Sequence, residues 1–464
     1  MSAPCFHIVN LGCKVNRVES DSCAVQLLQY GWCAGDLSDA DLIIINTCTV
    51  TGEADKKTRK TVRHAASNNN HAKILVTGCA AQITPEVFEE MSEQVFVVPK
   101  AKLKNEIDEL IKTFDLAKLN CNVILDHPFP LGKNFHTRVG VKIQDGCNNA
   151  CTYCIVHVAR GRAWSRPADE VIDECVALHR AGVREIVLTG INLGSYSYLQ
   201  DTQSDDFSRP GDYQCAGSLQ SKCLPAQESR SNKSQSGVLR SDNCAPSSAN
   251  SVNLTQLLEQ LLHATKGIDN SGAPLTRFRI SSIEPADVTD DLLQLMQSAN
   301  GRIARHLHLP LQSGSTKVLR EMARPYTAEQ FEQLVKKIRE ICPIIALSTD
   351  VIAGFPGETL EDFQETIDVC KRSRFMKLHV FPYSMREGTP AATRADQVSP
   401  QTKNKRAKIL RNLSCELATA DLARRAGTRE FALVETNNKA TAESYHEIAV
   451  SDSYKVGSLI EVGL

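Results

Sequence analysis

Three short apolar runs in the first eighty residues each stop just before a cysteine, and this repetition constrains the fold more than any other feature of the chain. Phe6–Leu11 leads to Cys13, Leu42–Ile45 to Cys48, and Ile74–Thr77 to Cys79; a fourth run, Val95–Val98, closes the series. Longer mixed segments, Ser20–Tyr30 and Lys56–Ser67, lie between them. Such alternation predicts parallel strands with crossover helices, so residues 1–125 are expected to form an open parallel α/β domain. Open sheets of this kind build ligand sites outside the carboxyl ends of their strands. Cys13, Cys48 and Cys79 are therefore expected to converge on one site. The plain alternative is three buried core cysteines, a common fate of the residue. A thiol–disulfide relay would want a C-x-x-C pair among them, and there is none.

A second βα series begins near Arg138. Its expected strands are Val139–Ile143, Glu185–Leu188, Phe278–Ser281, His306–Leu309, Ala346–Val351 and Leu378–Phe381, with helices such as Asp169–Ala181, Leu254–Thr265 and Ala328–Ile341 between them. Six units predict a partial (β/α)6 TIM-like barrel over residues 133–400, with function at the carboxyl ends of its strands. Residues 199–253 break the pattern. They are rich in Ser, Gln, Asn and Asp, and are expected to be a disordered insertion whose Cys215, Cys223 and Cys244 are free thiols. Residues 401–464 are expected to hold a basic helix, Lys403–Arg425, and a small β segment with runs at Phe431–Val434, Tyr445–Val450 and Ser458–Val462.

At 464 residues the chain exceeds one hydrophobic core, and 42% apolar with 23% charged residues is ordinary for a soluble protein. No eighteen-residue apolar run suggests a membrane span, and Met1–Val9 lacks the pattern of a secretory signal. A cytoplasmic, reducing setting is expected, in which the 17 cysteines read as ligands or free thiols rather than a disulfide framework. A net charge of −1 excludes a uniformly basic nucleic-acid binder and leaves a local patch open.

A compact triplet, Cys147-Asn148-Asn149-Ala150-Cys151-Thr152-Tyr153-Cys154, follows the first expected barrel strand. Zinc is the alternative ligand, but it favours four ligands in C-x2-C pairs and no partner pair lies nearby. Three thiolates on an iron–sulfur cluster suit the C-x3-C-x2-C spacing better and leave one iron open for chemistry.

That triplet resembles the signature of the radical S-adenosylmethionine superfamily. The wider pattern resembles its methylthiotransferases, the family of MiaB and RimO. The matching segments are Leu11-Gly12-Cys13-Lys14-Val15-Asn16, Asn46-Thr47-Cys48, Thr77-Gly78-Cys79-Ala80, Gln144-Asp145-Gly146-Cys147, Ala159-Arg160-Gly161-Arg162, His308–Ser315 and Val351–Thr359. Gly12–Asn16 and Ser281–Pro285 look most like the MtaB branch. Two positions depart from the pattern: His157 stands where relatives commonly have proline, and Ala150 where they are often aromatic.

The resemblance implies two [4Fe-4S] clusters, one on Cys13, Cys48 and Cys79 and one on Cys147, Cys151 and Cys154, the latter binding S-adenosylmethionine. It further implies that Tyr153, Thr189, Gly190, Gln312 and Arg324 contact that cofactor. It implies 2-methylthiolation of N6-threonylcarbamoyladenosine at position 37 of a tRNA anticodon loop. An electron donor of flavodoxin or ferredoxin type and a sulfur donor would be partners. Other branches act on isopentenyladenosine or on a ribosomal-protein aspartate. The family's C-terminal RNA-binding β module, TRAM, corresponds here to a short segment, so the basic helix is expected to share the grip on RNA. Two further readings remain: a radical enzyme whose second cluster only transfers electrons, and a non-catalytic iron-binding RNA adaptor.

Overall fold

The computed structural model describes residues 3–49, 52–113, 137–199, 251–268 and 272–464. The chain forms two compact units. The second, Leu199–Val252, is described only at its ends, so the expected disordered insertion and its three cysteines lie outside the described residues, as does the expected junction at residues 125–133. The first unit, Met1–Tyr198 with Asn253–Leu464, carries both cysteine triplets.

The N-terminal part of this unit comprises β1 (Cys5–Asn10), α1 (Lys14–Gln29), β2 (Cys33–Ala34), β3 (Leu42–Thr47), α2 (Gly52–Asn68), β4 (Lys73–Gly78), α3 (Cys79–Ile83), α4 (Glu86–Glu89), β5 (Val95–Val97) and α5 (Lys100–Thr113). The strands pair in parallel in the order β2-β1-β3-β4-β5. Alternate residues of β3 and β4 serve opposite faces. Leu42, Ile44 and Leu75 pack with Leu27, Trp32 and Ile107, while Ile43, Ile45, Ile74 and Val76 pack with Val62, Ala65 and Phe88. Burial on both faces explains why these strands read as unbroken aliphatic runs rather than alternating ones. In this strand order the crossover direction reverses between β1 and β3, which opens a crevice at their carboxyl ends.

The next part holds β6 (Arg138–Lys142), a short hairpin of β7 (Gln144–Asp145) and β8 (Trp164–Ser165) around α6 (Val156–Arg160), then α7 (Ala168–Arg180) and β9 (Glu185–Thr189). After β10 (Ser197–Leu199) and β11 (Ser251–Asn253) come α8 (Leu254–Ala264), β12 (Arg277–Ile280), α9 (Asp290–Ser298), β13 (His306–His308), α10 (Thr316–Glu321), α11 (Ala328–Ile341), β14 (Ala346–Ala353), α12 (Leu360–Ser373), β15 (Lys377–Pro382) and α13 (Pro400–Arg424). Strands β6-β9-β12 and β13-β14-β15 form two parallel triplets, stitched by parallel bridges from Phe278 to Ile303 and from Ser282 to His308. All six expected barrel strands are present in sequential order, so the partial (β/α)6 barrel stands.

Two features of the C-terminal expectation change. Helix α13 packs on β15 and β14, with Ser414 bonded to the backbone of Leu378, and so serves as the last helix of the barrel. Three of the seven cations from Lys403 to Arg425 are held by carboxylates. Arg406 is buried against Glu358, while Arg424 and Arg425 pair with Asp421, and Arg425 also with Glu430. The exposed Lys405, Lys408 and Arg411 are what remains of the expected RNA-gripping face.

The β segment is a four-stranded antiparallel sheet, ordered β18-β17-β16-β19, of β16 (Arg429–Thr436), β17 (Lys439–Ala442), β18 (Glu447–Ala449) and β19 (Leu459–Gly463). Strand β17 escaped the sequence reading because Lys-Ala-Thr-Ala carries no large aliphatic side chain. Tyr445 and His446, expected in a strand, form the turn between β17 and β18, with Tyr445 at φ +69°. The sheet docks on the amino ends of the barrel strands. Arg277 bonds to the Phe431 carbonyl, Arg279 to those of Ala442 and Glu443, and Arg305 pairs with Glu443. Both buried arginines share the fully buried Glu185, whose carboxyl they hold far below the usual range against the burial that would raise it.

Candidate active site

Cys13 caps the start of α1, Cys48 follows β3 directly, and Cys79 opens α3 after β4. All three thus stand at carboxyl ends of adjacent parallel strands. Gly78 permits the last of these turns. Its φ is +101°, and a Cβ there would overlap the backbone of Thr47. The Thr47 hydroxyl ties the same corner together, donating to the Thr77 carbonyl at 2.6 Å and accepting from the Ala81 amide at 3.1 Å.

This end of the sheet faces the barrel. Helix α1 lies along β6, and α3 packs on α6. A buried polar network fills the seam. Asn16 donates to Asn46 Oδ1 (2.9 Å) and to the Thr47 carbonyl (2.8 Å), and accepts from Arg160 Nη2 (2.6 Å). Arg160 also pairs with Glu19 (3.1 Å) and Asp145 (2.8 Å), and Glu19 with Lys100 and Lys142. Burial would raise the Glu19 pKa, but Lys100, Arg160 and Lys142 outweigh it and hold the carboxyl down at about 2. Cys13 and Cys79 both act on the Arg160 guanidinium. A second guanidinium, Arg386, lies beside Cys48 and 3.7 Å from Asp55. Arg386 is buried, and its Nε and Nη2 have no partner among the described residues.

The compact triplet lies on the loop after β6 and β7. Cys151 is buried, while Cys147 and Cys154 are half-buried. Backbone amides of Asn149 and Val156 point at the Cys147 and Cys154 sulfurs, both at 3.4 Å. Arg324 reaches Cys151 Sγ at 3.3 Å, pairs with Glu284 and bonds Tyr326. Burial opposes its charge, yet Tyr153, Tyr326, Glu284 and Cys151 hold its pKa above the ordinary value. Burial raises the Cys147 thiol and pushes Cys154 up to about 11, against the pull of those amides and of Arg324. The amides and the cation stabilise the thiolates that metal binding requires.

The other residues expected around the cofactor have distinct surroundings. Tyr153 packs on the apolar group of Val318, Met322, Phe355, Tyr383 and Ala391. The Thr189 hydroxyl bonds to the Val141 carbonyl within the sheet (3.3 Å). At Gly190 the space a Cβ would take is filled by Gln144, which bonds the Asn192 amide and organises the loop before Cys147. Gln312, four residues past β13 and bridged to Val351 of β14, is buried at φ +66° and makes no side-chain hydrogen bond to a described residue.

The residues suit the groups the sequence implies. Among the described residues no three Cys, His, Asp or Glu close around a single ion. On the rim above the barrel, Asn192 Oδ1 and Ser281 Oγ are buried without partners among the described residues. Buried polar atoms are ordinarily satisfied, so these two fit a polar ligand on that rim. Sequence reading missed Asn16, Glu19, Gln144 and Arg386. It left Arg160, like Asn16 and Gln144, without a role inside a matching segment.

Residues 5–99 match the Uncharacterized protein family UPF0004, and residues 141–201 with 251–370 match the Radical SAM superfamily. The threonylcarbamoyladenosine tRNA methylthiotransferase MtaB of Bacillus subtilis is 34% identical over 98% of this chain and 89% of its own. Its Chlamydia pneumoniae counterpart is 33% identical over 99% and 95%. A tRNA-2-methylthio-N(6)-dimethylallyladenosine synthase of Lawsonia intracellularis is 31% identical over 94% and 88%. Among solved structures, the radical S-adenosylmethionine methyltransferase TsrM from Kitasatospora setae shares the fold, with a TM-score of 0.52 at 13% identity over 84% of this chain and 77% of that one. No helix among the described residues is long and apolar enough to cross a membrane. With both halves of the site at strand carboxyl ends and full-length relatives above 30% identity, the chain belongs to the radical S-adenosylmethionine methylthiotransferase family.

Proposed function

We propose that this protein converts N6-threonylcarbamoyladenosine at position 37 of tRNA to its 2-methylthio derivative. In this reading Cys147, Cys151 and Cys154 hold the [4Fe-4S] cluster that binds S-adenosylmethionine, and Cys13, Cys48 and Cys79 hold a second. The observation that carries the reading is the seam: both triplets lie at strand carboxyl ends, on either side of the network centred on Arg160.

The C2–H bond of adenine is neither acidic nor attached to a leaving group, so proton transfer alone gives no route to substitution. When bound, S-adenosylmethionine and its cluster supply hydrogen-atom abstraction, and the second cluster supplies the sulfur. The chain's own residues do the rest. Arg324 and the two amides fix the Cys147–Cys154 sulfurs, and Gln312, Asn192 and Ser281 offer polar contacts to the methionyl and ribose groups. Arg160 and Arg386 place positive charge beside the Cys13, Cys48 and Cys79 thiolates. An unstacked anticodon-loop base is a substrate that can be splayed into such a site. A flavodoxin- or ferredoxin-type reductant, a sulfur donor and a cytosolic setting complete the proposal.

The test is direct. Anaerobically reconstituted protein, given reductant, S-adenosylmethionine and an anticodon stem-loop carrying N6-threonylcarbamoyladenosine, is expected to yield the 2-methylthio nucleoside by mass spectrometry. Product from an isopentenyladenosine stem-loop alone would contradict the substrate assignment.

A further inference from the structure

Resting on the substrate reading above, we infer that Lys14, seated on Tyr445, is the cation that reads the carboxylate of the N6-threonylcarbamoyl group. On the adenine ring C2 and C6 flank N1, so a substituent on the N6 amine starts on the same edge of the base as the carbon that receives sulfur. This substituent ends in a carboxylate, and binding strips part of its hydration, a cost that a cation unpaired among the described residues, such as the exposed Lys14, offsets.

The cations around the barrel interior are mostly spent. Arg279 shares the one carboxylate of Glu185 with Arg277, Arg138 pairs with Glu435, and Arg160 with Glu19 and Asp145. Lys14 pairs with no carboxylate among the described residues. Its Nζ lies 3.4 Å from the Tyr445 hydroxyl and 5.4 Å from the centre of that ring. It also follows Cys13 directly, which tethers it to the sulfur-donating triplet. A lysine in the first turn of a helix opposes the helix dipole, and α1 has no acidic residue there to offset it, so local stability does not account for the charge.

Tyr445 supplies the second argument. A bulky residue at φ +69° is strained and persists only where its surroundings hold it. Here they do: Ser444 N donates to Glu430 (2.9 Å), His446 bonds Asp421 (2.9 Å), and the ring packs 4.0 Å from the Arg279 guanidinium and edge-on to His306 at 4.6 Å. The C-terminal sheet thus sets an aromatic hydroxyl against Arg279 of β12 and His306 of β13, beside a lysine whose charge no described carboxylate balances. A carboxylate bonded to Lys14 Nζ and the Tyr445 hydroxyl is the ligand this pair fits.

The experiment measures binding of three synthetic anticodon stem-loops by fluorescence anisotropy: N6-threonylcarbamoyladenosine at position 37, its carboxyl methyl ester, and plain adenosine. Wild-type protein is expected to prefer the acid over the ester by about tenfold, the strength of a charged hydrogen bond. Lys14→Gln is expected to abolish that preference while its affinity for the plain loop, its iron content and its thermal unfolding stay at wild-type values. Lys14→Arg should retain part of the preference. A Lys14→Gln variant that still prefers the acid as wild type does would overturn the inference and leave the substrate reading intact. Wild-type protein that binds acid and plain loops alike and forms no 2-methylthio product would overturn the substrate reading instead.

Discussion

Arg160 donates a 2.6 Å hydrogen bond to Oδ1 of Asn16, 144 residues away in the chain, and through it the two cysteine-bearing parts share one polar core. Arg160 is nearly inaccessible to solvent and balances Glu19 and Asp145 at once. Replacing it with leucine leaves two buried carboxylates short of a partner, which is expected to cost about 3–5 kcal/mol in denaturant unfolding. A loss under about 1 kcal/mol would show that the seam is not a stabilising contact.

Glu19 carries the same seam into a pH dependence. Its folded-state pKa, about 2, lies below the ordinary 4.5, so its stabilisation is fully present above pH 4.5 and is lost as pH falls toward 2. The stability gap between wild type and Glu19→Gln is therefore expected to be about 3 kcal/mol at pH 7 and to narrow steadily below pH 4.5. A gap that is flat or widens on acidification would contradict the pairing.

Gly78 sets the corner that presents Cys79. An alanine there would clash with the Thr47 backbone and hold a left-handed φ, at a cost of roughly 2 kcal/mol or more. Reconstituted Gly78→Ala protein is expected to fall from about eight irons per chain toward about four, because only the N-terminal triplet is disturbed. Retention of all eight would separate the turn from the cluster.

Arg386 lies near enough to Cys48 for their charges to interact, and its Nε and Nη2 have no acceptor among the described residues. A positive charge beside a cluster favours its reduced form. Arg386→Gln is expected to make the N-terminal cluster's reduction potential more negative by on the order of 50 mV, read by electron paramagnetic resonance in a redox titration, while the other cluster stays unchanged. Equal shifts in both clusters would point to a global change rather than a local charge.

The elements visible in the sequence were those whose apolar residues repeat. The four longer strands of the N-terminal sheet and all six barrel strands are aliphatic or end in marked residues, and cysteines just past strand ends were enough to bring Cys13, Cys48 and Cys79 to one edge. What stayed hidden depends on pairing between distant polar groups. Nothing local in Pro400–Arg424 tells that Arg406 turns inward to Glu358 while Lys405 faces out, and the short β17 carries no apolar signal. Tyr445 read as a strand residue because its aromatic ring is typical of strands. Its left-handed backbone is imposed by Glu430, Asp421 and the barrel beneath it.

The nucleosides of bulk tRNA report the reaction itself without purification of the protein. In a strain lacking this gene, mass spectrometry is expected to find N6-threonylcarbamoyladenosine without its 2-methylthio derivative. The derivative should return with the wild-type gene, and fail to return with Cys13→Ala or Cys147→Ala. Persistence of the 2-methylthio derivative in the deletion strain would contradict the proposed function.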